Sequence, residues 1–127
     1  MTWQTLDVTT DPRGVVRLAL SMPERRNVLS PAMIAELTEF ASTVGQDPAT
    51  RAIVLSGAGP VFCAGGDLAW MKAQVEADRA QRIREAGKLA GMLQALNTIP
   101  APLIGRLHGG AYGGGLGLAC VCDVARA

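Results

Sequence analysis

"LHGGAYGGGLGLACVCD", residues 107–123, places glycine at 109, 110, 113, 114, 115 and 117, directly after the apolar run "PLIGRLHG". A strand that feeds a glycine-rich loop, which in turn opens a helix, is a joint of an α/β fold. The helix, "LGLACVC", is short and apolar and reads as buried, and "DVARA" behind it reads as one more strand. Glycine at such a joint has two explanations. It permits tight turns and close packing of helix on strand, or it lets a ligand approach backbone N–H groups at positive φ. A second loop repeats the arrangement at "CAGGD", Cys63 to Asp67.

The rest of the chain alternates in the same way. "WQTLDVT" and "VVRLALS" flank the turn chemistry of "TDPRG" and read as a hairpin. Ser30 before Pro31 is an N-cap signal, and Ile34, Leu37, Ala41 and Val44 recur at helical spacing until Gly45. "RAIVLSG" reads as a buried strand, and "AGPVFCAGG" as a loop with a brief extended piece. Two helices follow from Asp67, "DLAWMKAQV" and a longer one through "IREAGKLAGMLQALN", closed by Pro100 and Pro102. Asp67 suits an N-cap, and Asp78 lies four residues before Arg82, a spacing for an i,i+4 pair on a solvated face. Trp70, Met71 and Val75 fall at core-like positions. The order β-β-α-β-α-α-β-α-β predicts an α/β domain. Its last strand has no following helix, so a partner or further chain is expected to cover the sheet face there.

Composition excludes several function classes. The 127 residues are 49% hydrophobic and 18% charged with a net charge of +1, which fits one globular domain with a sizeable core. Twelve Lys and Arg against eleven Asp and Glu, without blocks, leave no footprint for nucleic acid or an anionic membrane. The opening "MTWQTLDVTT" lacks the basic and apolar regions of a cleaved signal, and no apolar run reaches membrane-spanning length. Cys63, Cys120 and Cys122 are odd in number and sit in apolar segments, which predicts buried, reduced thiols and a cytoplasmic setting.

Motif spacing narrows the chemistry further. Neither a G-x-G-x-x-G nor a G-x-x-x-x-G-K-[ST] occurs, so dinucleotide and P-loop phosphate cradles fail. One histidine, His108, cannot build a multi-histidine metal site, and Cys120 with Cys122 is a poor start for zinc. There is no G-x-S-x-G elbow. His108 and Asp123 read as structural. What remains is a pair of loops whose N–H donors, at helix starts, are able to converge on one oxygen as an oxyanion hole.

"GPVFCAGGDL" followed by "HGGAYGGGLGLACVCD", together with "PERRNVLS" at Pro23 to Ser30, resembles the crotonase superfamily of enoyl-CoA hydratases and isomerases. The resemblance covers the whole chain, and "DLAWM" at Asp67 to Met71 is similar to hydratases of branched or carboxylated acyl-CoAs, such as methylglutaconyl-CoA and carboxygeranoyl-CoA. It implies an α/β crotonase-like (ClpP/crotonase) ββα spiral core. Residues 1–127 would then be an N-terminal, acyl-CoA-binding partial domain, ending before the family's C-terminal helices. It implies an acyl-CoA thioester as partner, CoA being part of the substrate, with no separate cofactor, and a trimer or hexamer in full-length members. By the same resemblance, the N–H groups of Gly66 and Gly114 would stabilise the thioester oxygen as it becomes an enolate. Arg26, Val28, Ala64, Asp67, Leu68, Ala69, Tyr112 and Gly117 would line the CoA and acyl path. Trp70, Met71 and Val75 would then be acyl-pocket positions as readily as core.

The best-known hydratases of that family carry a catalytic glutamate three residues after the second oxyanion glycine, where this chain has Gly117. A second, later glutamate would fall beyond Ala127. Hydration needs a group to activate water and a group to protonate carbon. In residues 107–127 only Tyr112, His108 and Asp123 come into question, and the phenol is too weak an acid to serve as a base near neutral pH. Two readings therefore stand. One is an enoyl-CoA hydratase/isomerase whose proton-transfer glutamate lies outside these residues. The other is a non-catalytic fragment or pseudoenzyme that binds acyl-CoA or associates with full-length homologues.

Overall fold

The computed structural model describes residues 2–127. Strands β1 (Leu6–Thr10), β2 (Val15–Leu20), β3 (Ala52–Gly57), β4 (Leu103–Arg106) and β5 (Val124–Arg126) form one sheet in sequence order. The β1–β2 pair is antiparallel, and all later pairs are parallel. The hairpin is tight because the Asp11 carboxylate accepts from the N–H groups of Arg13 (2.8 Å) and Val15 (3.2 Å), an Asx-type turn. Parallel pairing requires crossovers. These are supplied by α1 (Pro31–Ser42), by α2 (Leu68–Glu76) with α3 (Arg79–Asn97), and by α4 (Gly114–Cys120).

Helix α1 starts where expected: Ser30 Oγ accepts from the Met33 N–H at 3.2 Å, with Pro31 in the first turn. Met33, Ile34, Leu37, Phe40 and Ala41 form its buried face. The helix ends at Ser42 rather than at Gly45, because Thr43 leaves helical geometry and Val44–Gln46 tighten into a 3-10 turn. With Met92 and Leu96 of α3, that face packs on Val16, Leu18, Leu20, Ile53, Leu55 and Leu103 from one side of the sheet. Each fully buried aliphatic side chain of this kind contributes about 2–3 kcal/mol.

The opposite side of the sheet is half-buried at its centre and exposed at β5. Pairing aligns Arg17, Val54, Ile104 and Val124 across four strands, and Val124 is 61% exposed. Every residue of β5 is exposed.

Four expectations need correction. Helix α2 buries none of its residues, so Met71 (41% exposed) and Val75 (79%) are not core. Asp78 does not pair with Arg82 among the described residues; it caps α3, accepting from the Gln81 N–H at 2.8 Å. Only Cys63 is a fully buried thiol, with Cys122 intermediate and Cys120 exposed. Helix α4 buries Gly115 and Leu118 and leaves Leu116 and Cys120 to solvent, so it is buried on one side only.

Candidate active site

The site is built by three loop segments laid side by side at the carboxyl ends of β3 and β4. Leu29 N–H donates to the Gly65 carbonyl at 2.7 Å, and Ala64 N–H to the Arg26 carbonyl at 2.9 Å. Cys63 N–H donates to the Gly110 carbonyl at 3.3 Å, and Tyr112 N–H to the Cys63 carbonyl at 3.0 Å. "RNVL", "CAGG" and "GGAY" are thereby joined backbone to backbone, as two short parallel bridges at Leu29–Gly66 and Cys63–Ala111. Glycine is needed where they meet. A β-carbon on Gly115 would lie 2.6 Å from the Cys63 carbonyl oxygen. Gly65 and Gly113 adopt φ of +93° and +53°, which side-chain-bearing residues rarely take.

Asn27 locks the first segment. It is fully buried at φ +53°, and its side-chain amide donates to the carbonyls of Ala58 (2.8 Å), Val61 (3.0 Å) and Phe62 (3.1 Å). Its oxygen accepts from the Met22 N–H at 2.8 Å. One buried residue thus satisfies backbone groups of two loops. Nothing in the spacing of "PERRNVLS" singles out Asn27. Its neighbours Glu24, Arg25, Arg26 and Ser30 are polar as well, so residue type does not set it apart either.

Between these segments and α2 opens a cleft of about 470 Å³, lined by Arg25, Arg26, Val28, Ala64, Gly65, Gly66, Leu68, Met71 and Gly113. Of the residues singled out from sequence, Arg26, Val28, Ala64, Gly66, Leu68 and Met71 share this cleft. Asp67 sits beside it, 8% exposed, capping α2 through the Ala69 N–H (3.3 Å) and accepting from Arg25 Nη2 at 2.9 Å. Arg25, which the sequence reading passed over, therefore ties the first segment to the start of α2. Gly114 is the first residue of α4, adjoining the cleft-lining Gly113. Gly117 faces Leu93 of α3, Ala69 is exposed, and Tyr112 is 61% exposed.

Among the described residues, neither the Gly66 N–H nor the Gly114 N–H has an acceptor. Two unpaired donors on adjoining loops, one at a helix start, favour an oxygen that carries negative charge. Of the three candidate proton-transfer groups, His108 and Asp123 are otherwise engaged. His108 Nε2 meets the Gly59 carbonyl, and Asp123 Oδ2 accepts from the Leu103 N–H at 2.7 Å, closing β4 onto β5. Among the described residues no glutamate lines the cleft, and no group of three or more metal-ligating side chains exists. Burial pushes the Cys63 thiol above its ordinary range, so it is a poor nucleophile. A larger hollow of about 550 Å³ lies between α1 and α3, away from the two glycine loops. Among the described residues no helix is long and apolar enough to cross a membrane.

Cleft, loops and sheet together define an α/β fold of crotonase type. Residues 10–127 match the family model described as enoyl-CoA hydratase/isomerase, and the chain belongs to that family. It is similar to the crystal structure of an enoyl-CoA hydratase from Mycobacterium smegmatis, with 39% identity and a TM-score of 0.90 over 96% of this chain and 47% of that one. An enoyl-CoA hydratase from Shewanella pealeana gives a TM-score of 0.91 at 31% identity, over 96% and 46%. The mitochondrial Delta(3,5)-Delta(2,4)-dienoyl-CoA isomerase of Mus musculus is 33% identical over 130 aligned residues, 96% of this chain and 40% of the mouse protein. The chain spans about half the length of the curated relatives it matches.

Proposed function

We propose that these residues form the acyl-CoA-binding core of an enoyl-CoA hydratase/isomerase, with the Gly66 and Gly114 N–H groups as its oxyanion hole. The unpaired state of those two donors, on loops joined by backbone hydrogen bonds, is the observation that carries this reading. When the α-carbon of a thioester loses a proton, or its conjugated double bond accepts a nucleophile, charge accumulates on the carbonyl oxygen. Fixed donors aimed at that oxygen lower the barrier, and losing one such donor typically costs about 3–4 kcal/mol. The remaining cleft residues bind: Arg26 and Val28 on the CoA side, Leu68 and Met71 toward the acyl group, with Ala64 between, while Ala69 lies exposed on the first turn of α2. Tyr112 and Gly117 belong to the outer edge of the pocket.

In this proposal the proton-transfer group is not among these residues, since Gly117 stands where a glutamate would serve and Asp67 is held by Arg25. "DLAWM" favours a branched or carboxylated acyl group, of the methylglutaconyl or carboxygeranoyl kind. A second reading, binding without turnover, is supported by the lack of a cleft glutamate among the described residues.

The test titrates the chain with crotonyl-CoA, and follows loss of its conjugated absorbance, beside Gly114→Pro and Gly114→Ala. Proline is tolerated at the first position of a helix and removes the N–H, whereas alanine adds the same β-carbon and keeps it. Binding that survives in Gly114→Ala and falls at least tenfold in Gly114→Pro supports the oxyanion hole. Equal binding by both variants overturns it. Turnover by the wild type would sink the binding-only reading.

A further inference from the structure

Helix α2 is held to the protein by few contacts. None of its residues is buried, and Leu68 and Val75 are 78% and 79% exposed. It nevertheless supplies one wall of the cleft, through Leu68 and Met71. The Met71 thioether covers Gly66, since a β-carbon there would lie 3.4 Å from Met71 Sδ. Two polar contacts tie the helix down. Asp67 joins its first turn to Arg25 at 2.9 Å. Trp70 reaches across to α3, its indole N–H donating to Glu85 Oε2 at 3.2 Å. Gln74, one turn further on, has a buried side-chain oxygen with no donor among the described residues, and so adds no bond of its own.

Glu85 is built to be a fixed acceptor. Its side chain is 13% exposed, and its other oxygen accepts from Gln81 Nε2 at 3.0 Å and Lys88 Nζ at 3.1 Å. A carboxylate with both oxygens engaged does not drift as a solvated surface one does, and its bond to the indole is charge-assisted.

We infer that the Trp70–Glu85 hydrogen bond is a latch that sets α2 against α3 and so holds Met71 and Leu68 as the acyl-side wall of the cleft. Trp70 and Glu85 are then positioning residues for the acyl group, an inference that rests on the acyl-thioester reading above. A helix with no buried face opens locally at low free energy. Removing the latch leaves the wall formed for only part of the time, and apparent affinity falls by that fraction. In this reading the nucleotide end of CoA is held through Arg26 and Val28, and the acyl end rests on Met71, all of them lining the same cleft. The latch should therefore separate acyl-CoA from CoA.

The experiment compares the wild-type chain with Trp70→Phe, Glu85→Ala and Glu85→Gln. Hydrogen exchange of the α2 amides is measured in the free protein, and crotonyl-CoA and CoA are titrated separately. Phenylalanine keeps an aromatic ring without the N–H, and glutamine keeps an acceptor oxygen. Trp70→Phe and Glu85→Ala are expected to speed α2 exchange about tenfold and to weaken crotonyl-CoA about five- to tenfold, with CoA changed less than about twofold. Glu85→Gln should recover most of both losses. Unchanged α2 exchange in Trp70→Phe overturns the latch, and equal weakening of crotonyl-CoA and CoA overturns its acyl role. A wild-type chain that binds neither ligand overturns the acyl-thioester reading and the acyl role with it, while the exchange measurement still judges the latch by itself.

Discussion

The carbonyl oxygen of Tyr112 stands 2.6 Å from the point a β-carbon on Gly65 would occupy. The two glycine loops therefore touch through their backbones, and glycine at 65 is a packing requirement as well as a conformational one, given its φ of +93°. Gly65→Ala should lose about 2–4 kcal/mol of unfolding free energy in a urea titration. Gly87, in the exposed body of α3, has no heavy atom within 4 Å of its would-be β-carbon. Gly87→Ala should gain about 0.5–1 kcal/mol in the same titration, through helix propensity alone. If the two substitutions shifted stability alike, the close approach of the loops would be wrong.

Asn27 ranks above any single apolar contact in the first loop segment. Asn27→Ala strands the carbonyls of Ala58, Val61 and Phe62 and the Met22 N–H, and it places alanine at φ +53°. A loss of about 3–4 kcal/mol is expected, read from thermal or urea unfolding. Asn27→Asp should be at least as damaging, because it turns a carboxylate toward three carbonyl oxygens.

The amino-terminal strand is pinned to α1 by Glu36. The Gln4 N–H donates to Glu36 Oε2 at 2.9 Å and the Thr5 N–H to Oε1 at 2.6 Å, with the Thr5 hydroxyl on the same oxygen. Burial opposes ionisation, but those three donors outweigh it and hold the carboxyl below its ordinary value of 4.5. A folded-state pKa below the unfolded one stabilises the protein above the unfolded pKa, and that contribution is lost as pH falls through the folded value. Glu36→Gln should therefore cost about 1–2 kcal/mol at pH 7, with the gap to wild type closing below pH 4.5 as the carboxylate is protonated. A gap that widens toward acid would contradict the arrangement.

The three thiols should react in order of access. Cys120 is exposed. Burial, with Asp123 and Cys120 close by, pushes the Cys122 thiol up to about 11, and burial raises Cys63 as well. A disulfide reagent at pH 8 should label one cysteine quickly, abolished in Cys120→Ser, and the other two only on unfolding. Three equally fast thiols would rule out the packing of α4 on Cys63.

Much of the architecture was legible because it rests on local chemistry. Ser30, Asp67 and Gly14 announce their cap and turn roles by type and position, and the alternation of apolar runs locates β2, β3 and α1. The glycine loops were legible as a pair. Boundaries were less so, as with α1, where the tertiary path turns Val44 into a 3-10 turn. Helix α2 was misread for a physical reason. Apolar residues at helical spacing identify a face, but not whether anything lies against it, and here Leu68 and Val75 meet solvent.

The amino-acid order by itself determined the alternation of strands and helices, their caps and turns, and the two places where backbone must come close to backbone. These depend on residues within a few positions of each other. Only the tertiary structure decided that Asn27 holds loops up to 35 residues away, that Arg25 reaches Asp67 across 42, and that Trp70 finds Glu85 on the neighbouring helix. Those contacts are set by where the sheet register places each loop end, and register arises from the packing of the whole core.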